Sequence, residues 1–188
     1  MKGGEYPLGD TNRLEWIIFQ LLVTSNSRTT DLLELIVMDR LLPIVAGQSE
    51  LAGGEIWRES FLMTEKDQRY VSQNIVRINP NYVPPALLER IVREGEGIGH
   101  VLRASGTSDQ RQMIRNGWRR TEEIVDLFGQ PYQLSFGEAG WIPFKEYKLI
   151  FPPYEQCGAH ILEYFNPDML RRTMESALQF TVKEGELV

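Results

Sequence analysis

One cysteine and two histidines stand in a chain of 188 residues, and each scarcity closes off a class of chemistry. The lone Cys157 has no partner for an internal disulfide, which fits a reducing compartment. His100 and His160 lie outside every common metal-ligand spacing, such as His-x-x-x-His, so a metal site is not expected. No Gly-x-Ser-x-Gly elbow occurs, which removes the serine hydrolases built on it. Positive charge is also short: the net charge is −6, and the basic clusters stop at Arg119-Arg120 and Arg171-Arg172. A nucleic-acid partner is therefore not expected. The longest apolar stretches, such as "WIIFQLLV", end far below membrane-spanning length, and "MKGGEYPLGDTNR" lacks the apolar core of a signal peptide. A soluble cytoplasmic protein without a membrane partner is expected.

What the chain does have is enough apolar material for one ordinary domain, 42% of its residues, spanning 1–188. Leu14, Ile17, Ile18, Leu21 and Leu22 recur at helical spacing behind a cap at Asp10 or Thr11. A second helix is expected from Thr29 or Thr30, with Leu32, Leu33 and Ile36 as its buried stripe, until Pro43 turns the chain extended. "AGQSELAGG" reads as a turn-rich joint. The period then changes to two: "EIWRESFLM" and "YVSQNIVRI", joined by the polar "TEKDQR", predict a β-hairpin. Pro84-Pro85 announces a helix carried by Leu87, Leu88, Ile91 and Val92 and closed by Gly95. "SDQRQMIRNGWRRTEEIVDLFG" reads as helical, with Ser108 as cap and Gly129 as stop. "FKEYKLIF" and "GAHILEYF" predict two strands around the loop "PPYEQC", and 171–188 a final helix and tail. The expected class is α+β.

Glycines 95, 97 and 99 in "GEGIGHVLR" follow a helix, not a strand, so they do not form a dinucleotide fingerprint. They read as a tight loop, or as a loop that brings backbone N–H groups close to a small ligand. Among the charges inside predicted strands are Arg58, Lys145, Lys148 and Glu163. Lysines in such positions belong on the wet face of an antiparallel sheet. Arg58 shares its face with Ile56 and Leu62, and Glu163 shares its face with Ile161 and Phe165. A buried carboxylate needs a cation, a hydrogen-bond donor or a polar ligand beside it. An Arg58–Glu163 pair in a shared interior is the expectation, either as a structural ion pair or as the wall of a cavity for a polar anionic ligand.

The order "TTDLLELI", "IWRESFLM", "VPPALLERI", "GIGHVLR", "EYKLIF" and "ILEYFNP" resembles the chorismate pyruvate-lyase (4-hydroxybenzoate synthase) family over about residues 25–170. The resemblance implies an antiparallel sheet with helical flaps over a buried ligand cavity. It implies a carbon–oxygen lyase that eliminates pyruvate from chorismate, a small-molecule carboxylate, to give 4-hydroxybenzoate without a cofactor. By the same resemblance Arg58 grips the ring carboxylate, and Glu163 meets the ring hydroxyl and handles a proton. Ile98 and Gly99 close over the carboxylate through the backbone, and Arg28 and Thr29 begin a flap. The chain departs from the pattern at Lys145-Glu146, where the family commonly has paired arginines, and at Asn74, where a charge often sits. Lys145 or Lys148 then stands as the replacement cation, a point charge without the bidentate fork of arginine. Two other readings stay open: a lyase-fold module that binds a small molecule without turning it over, and a tailoring enzyme acting on another cyclic substrate in the same cavity.

Overall fold

A computed structural model describes residues 13–93, 95–136, 140–171 and 173. Helices α1 (Arg13–Thr24) and α2 (Thr29–Val37) lead into strands β1 (Leu41–Glu50), β2 (Ile56–Thr64) and β3 (Tyr70–Ile78). Helices α3 (Pro85–Val92) and α4 (Ile98–Ser105) follow, then β4 (Gln110–Arg120), β5 (Trp141–Ile150) and β6 (Cys157–Phe165). The six strands form one fully antiparallel sheet in the order β1-β2-β3-β6-β5-β4. This is a single α+β domain.

Side chains alternate across the sheet, and each face has its own cover. On one face Val76, Ile161, Tyr147 and Leu149 pack against Leu87 and Ile91 of α3 and Val101 and Leu102 of α4. Further along that face, Leu62 and Phe165 meet Phe19 and Leu22 of α1 and Leu33 of α2. On the opposite face Ile75, Leu162, Tyr164 and Phe144 are covered by Ile124, Leu127, Tyr132 and Leu134 of the long β4–β5 connection. The inner strands are thus buried on both sides, whereas β1 and β4 sit at the edges with polar, half-wet sequences.

That placement explains two differences from the sequence reading. "LLPIVAGQSE" is strand β1, so the expected turn-rich joint begins only at Leu51. "QRQMIRNGWRR" is strand β4, not a helix. As an edge strand β4 buries few side chains, and a bulge between Met113 and Arg115 together with Gly117 at φ 141° breaks its alternation. The β2–β3 hairpin, α3 and its close at Gly95 (φ 69°), β5 and β6 lie where their periodicity predicts. The cap expected at Asp10 or Thr11, and most of the expected final helix and tail, lie outside the described residues. No helix among the described residues is long and apolar enough to cross a membrane.

Candidate functional site

Strand register assembles a polar row in the middle of the helix-covered face. Ser60 on β2 stands opposite Asn74 on β3, Asn74 opposite Glu163 on β6, and Glu163 opposite Lys145 on β5. One step along each strand on the same face lie Arg58, Val76, Ile161 and Tyr147. Thr29 and Thr30 of α2, Pro43 of β1, and the segment from Gly97 to His100 close over these residues. The space between them is about 50 Å³. A water needs about 10–15 Å³ on this measure, so a few waters fit, and a ring-sized ligand requires the covering helices to draw back.

Glu163 is almost fully buried and held on two sides. Its Oε2 accepts a hydrogen bond from Thr29 Oγ1 at 2.8 Å and lies 3.8 Å from Lys145 Nζ. Thr29 is free for this because it does not cap its helix: Arg28 occupies the N-cap position, and no side chain caps α2. The first-turn hydroxyl instead turns inward to the carboxylate. Tyr147 completes the surroundings; burial, and then the charge of Glu163, raise its pKa above the ordinary tyrosine value and keep its hydroxyl protonated.

Arg58 is 1% exposed, and its guanidinium is turned to the backbone rather than to Glu163. It donates to the carbonyl of Ile91, to Gly95 O at 3.2 Å and to Glu96 O at 2.6 Å. These carbonyls belong to the last turn of α3 and to the loop leading into α4, so Arg58 serves the unsatisfied end of a helix. The expected Arg58–Glu163 ion pair is thereby replaced by Lys145–Glu163. Arg58 still lines the cavity, and burial lowers its pKa.

Lys145 overturns the wet-face expectation. It is 1% exposed, and its Nζ has no hydrogen-bond partner among the described residues. The aromatic rings of Tyr147 and Phe165 stand 5.5 Å and 5.9 Å away. Burial lowers its pKa, with Glu163 acting in the opposite direction. Lys145 sits behind Glu163 and is not part of the cavity wall. Arg28 likewise stands at the start of α2 and not on the wall.

Ile98 and Gly99 form the first turn of α4, whose N-cap residue, Gly97, offers no side chain. Their N–H groups belong to the positive end of a helix at the cavity wall. Two glycines permit this closeness: a Cβ on Gly97 would stand 2.8 Å from Pro43, and one on Gly99 would collide with the hydroxyl of Thr30.

Arg111 was not foreseen among the site residues. It reaches the cavity from β4, donates to Asp109 Oδ2 at 3.1 Å and to Ser27 O at 3.0 Å, and lies 5.3 Å from the Tyr147 ring centre. Burial opposes its charge, but its negative neighbours, Asp109 and Glu163 among them, prevail and raise its pKa. The alternation in "DQRQM" carries the signal that a strand reading would have used. His100 also lines the cavity, with its Nε2 3.8 Å from Glu34 Oε1. Among the described residues no group of three His, Cys, Asp or Glu side chains is arranged to hold a metal. A scan against protein-family models and a search of curated proteins both find no match.

Proposed function

We propose that the protein is a lyase of the chorismate pyruvate-lyase type, eliminating enolpyruvate from a cyclic carboxylate and leaving an aromatic hydroxybenzoate. The observation that carries this reading is Glu163, a buried carboxylate on the wall of a small cavity, held by a threonine hydroxyl and a buried lysine. In chorismate one ring carbon bears both a hydroxyl and a hydrogen, and its neighbour carries the enolpyruvyl ether. Glu163 accepts a hydrogen bond from that hydroxyl and takes the hydrogen as a proton. The C–H and ether C–O bonds break, the ring gains the double bond that makes it aromatic, and the released enolpyruvate is protonated at carbon to give pyruvate. General-base help of this kind is worth about 10²- to 10⁴-fold.

The ring carboxylate is held from the other side. Ile98 and Gly99 offer backbone N–H groups at a helix start, and Arg111 adds charge. Arg58 has five N–H donors and makes three hydrogen bonds to carbonyls among the described residues, which leaves two donors there for a ligand. Its carbonyl contacts also hold the loop that positions Ile98. Thr29 leaves Glu163 when α2 opens and returns when it closes, which couples closure to the state of the base.

The test is incubation of the purified protein with chorismate, following pyruvate with a coupled dehydrogenase and 4-hydroxybenzoate by chromatography. Equal amounts of both products, above the uncatalysed rate, are expected. Tight hydroxybenzoate binding without pyruvate release would identify a binding module, and neither binding nor release would overturn the reading.

A further inference from the structure

The helices over the candidate site form two separate covers. Leu87 and Ile91 of α3 pack with Val101 and Leu102 of α4 in one apolar cluster. Phe19 and Leu22 of α1 pack with Leu33 and Val37 of α2 in another, and among the described residues no buried apolar side chain belongs to both. The cavity lies along the line between them, walled by Thr29 and Thr30 of α2 on one side and by Ile98, Gly99 and His100 of α4 on the other. At that line α2 and α4 meet through the hydroxyl of Thr30 set against Gly99, which has no side chain to interlock. Interdigitated apolar side chains resist separation, and this seam has none.

What spans the seam is charge. Arg103 of α4 donates to Asp31 and, at 2.9 Å, to Glu34, both of α2, and His100 Nε2 stands 3.8 Å from Glu34 Oε1. Water reaches these pairs: 42% of the Arg103 side chain, 43% of Asp31 and 21% of Glu34 are exposed. Outside them lies a wide cleft of about 870 Å³, lined by Glu34, His100 and Arg103 among others. His100 lines the inner cavity as well, so one side chain faces both spaces.

We propose that the cavity is entered from the outer cleft through the seam between α2 and α4, and that Arg103 is the clasp that holds this seam shut. A ring-sized ligand needs such an opening, because about 50 Å³ holds only a few waters. Parting at the seam breaks wet ion pairs, the contact of Gly99 with Thr30, and the hydrogen bond from Thr29 to Glu163. Both apolar clusters stay whole. Entry through either cluster would instead wet side chains that are now dry, among them Leu33, Val101 and Leu102. Arg103 is not on the cavity wall, so it governs access without touching a ligand inside. As a regulator of the site assigned to the lyase reaction, it rests on that reading.

Asn74→Cys, made together with Cys157→Ser in ligand-free protein, places a thiol on the buried cavity wall. Its rate of reaction with N-ethylmaleimide, an uncharged reagent of ring size, reads the opening. Exposed ion pairs each favour the closed contact by up to about fivefold, so Arg103→Gln should speed labelling roughly twofold to thirtyfold. Asp31→Asn should speed it less, and adding it to Arg103→Gln should change little, because that pair is already lost. Raising the salt from about 0.05 M to about 0.5 M should speed labelling in the parent and leave Arg103→Gln nearly unmoved. Exchange of the Ile75 N–H, in an inner strand, reports global unfolding and should accelerate in none of the variants. Should Asn74→Cys not fold, Ser60→Cys on the same wall takes its place. Labelling that neither substitution nor salt alters, or that rises only together with Ile75 exchange, overturns the inference. Labelling uses no substrate, so a failed clasp and a failed chorismate assay are distinct results.

Discussion

Replacing Arg58 by methionine should cost folding before it costs binding. The family resemblance alone suggests the reverse, since it assigns Arg58 to the ligand. In the structure its guanidinium makes three hydrogen bonds to the carbonyls of Ile91, Gly95 and Glu96. Hydrogen bonds from a charged donor are worth about 1.5–3 kcal/mol each, or about 4.5–9 kcal/mol for three. Removing a buried charge returns several kcal/mol of desolvation, and a net loss of about 3–5 kcal/mol is the expectation. For a chain of this size each kcal/mol moves the melting temperature by about 2–4 °C, so Arg58→Met should melt roughly 6–20 °C below the parent. Urea unfolding followed by circular dichroism, with melting as a second readout, measures the loss directly. Arg58→Lys, with a point charge and no fork, should recover less than half of it. A stability change under about 1 kcal/mol for Arg58→Met would refute the reasoning. It would mean that the carbonyl contacts contribute little and that the guanidinium is held for a ligand.

On the proposed lyase reading, Glu163→Gln keeps size and hydrogen bonding but removes the proposed base; turnover should fall at least about 10²-fold, while hydroxybenzoate affinity by calorimetry stays within about tenfold. On the same reading, the cavity of about 50 Å³ must open for a ring to leave, so rapid mixing with chorismate should show a burst of 4-hydroxybenzoate before a slower steady state, and strictly linear product from the first turnover would contradict this. Gly99→Ala drives a methyl group into the hydroxyl of Thr30 and should cost about 1–3 kcal/mol in urea unfolding while speeding ligand release, as α4 is pushed off α2. On the far face, burial pushes the pKa of Glu146 up, but hydrogen bonds from His160 and Arg115 prevail and hold it below its ordinary 4.5. A lowered carboxylate pKa adds stability that is complete above the ordinary value and is lost as pH falls through the folded one. The stability gap between the parent and Glu146→Gln should therefore narrow as the pH drops below about 4.5 in a series of urea titrations.

The parts of the fold legible in the sequence are those in which a local period survives. The β2–β3 hairpin, α3 and β6 announce themselves because their apolar residues recur at two or at three to four, with Pro85 and Gly95 as punctuation. Strands β1 and β4 do not, because an edge strand buries less and needs no apolar alternation. Misreading β4 is what hid Arg111 from the candidate site. The burial of Arg58 and Glu163 follows from the apolar company each keeps along its own strand, and that much the amino-acid sequence determines. Which cation meets Glu163 is settled elsewhere. Strand β6 lies between β3 and β5, and that order sets Lys145 directly across from Glu163; α3 and the loop after it bring three carbonyls to Arg58. Side-chain alternation is a property of one strand and can be read from it. The partner of a buried charge depends on which strand lies alongside and which helix ends overhead, and both are fixed by packing among segments far apart in the chain.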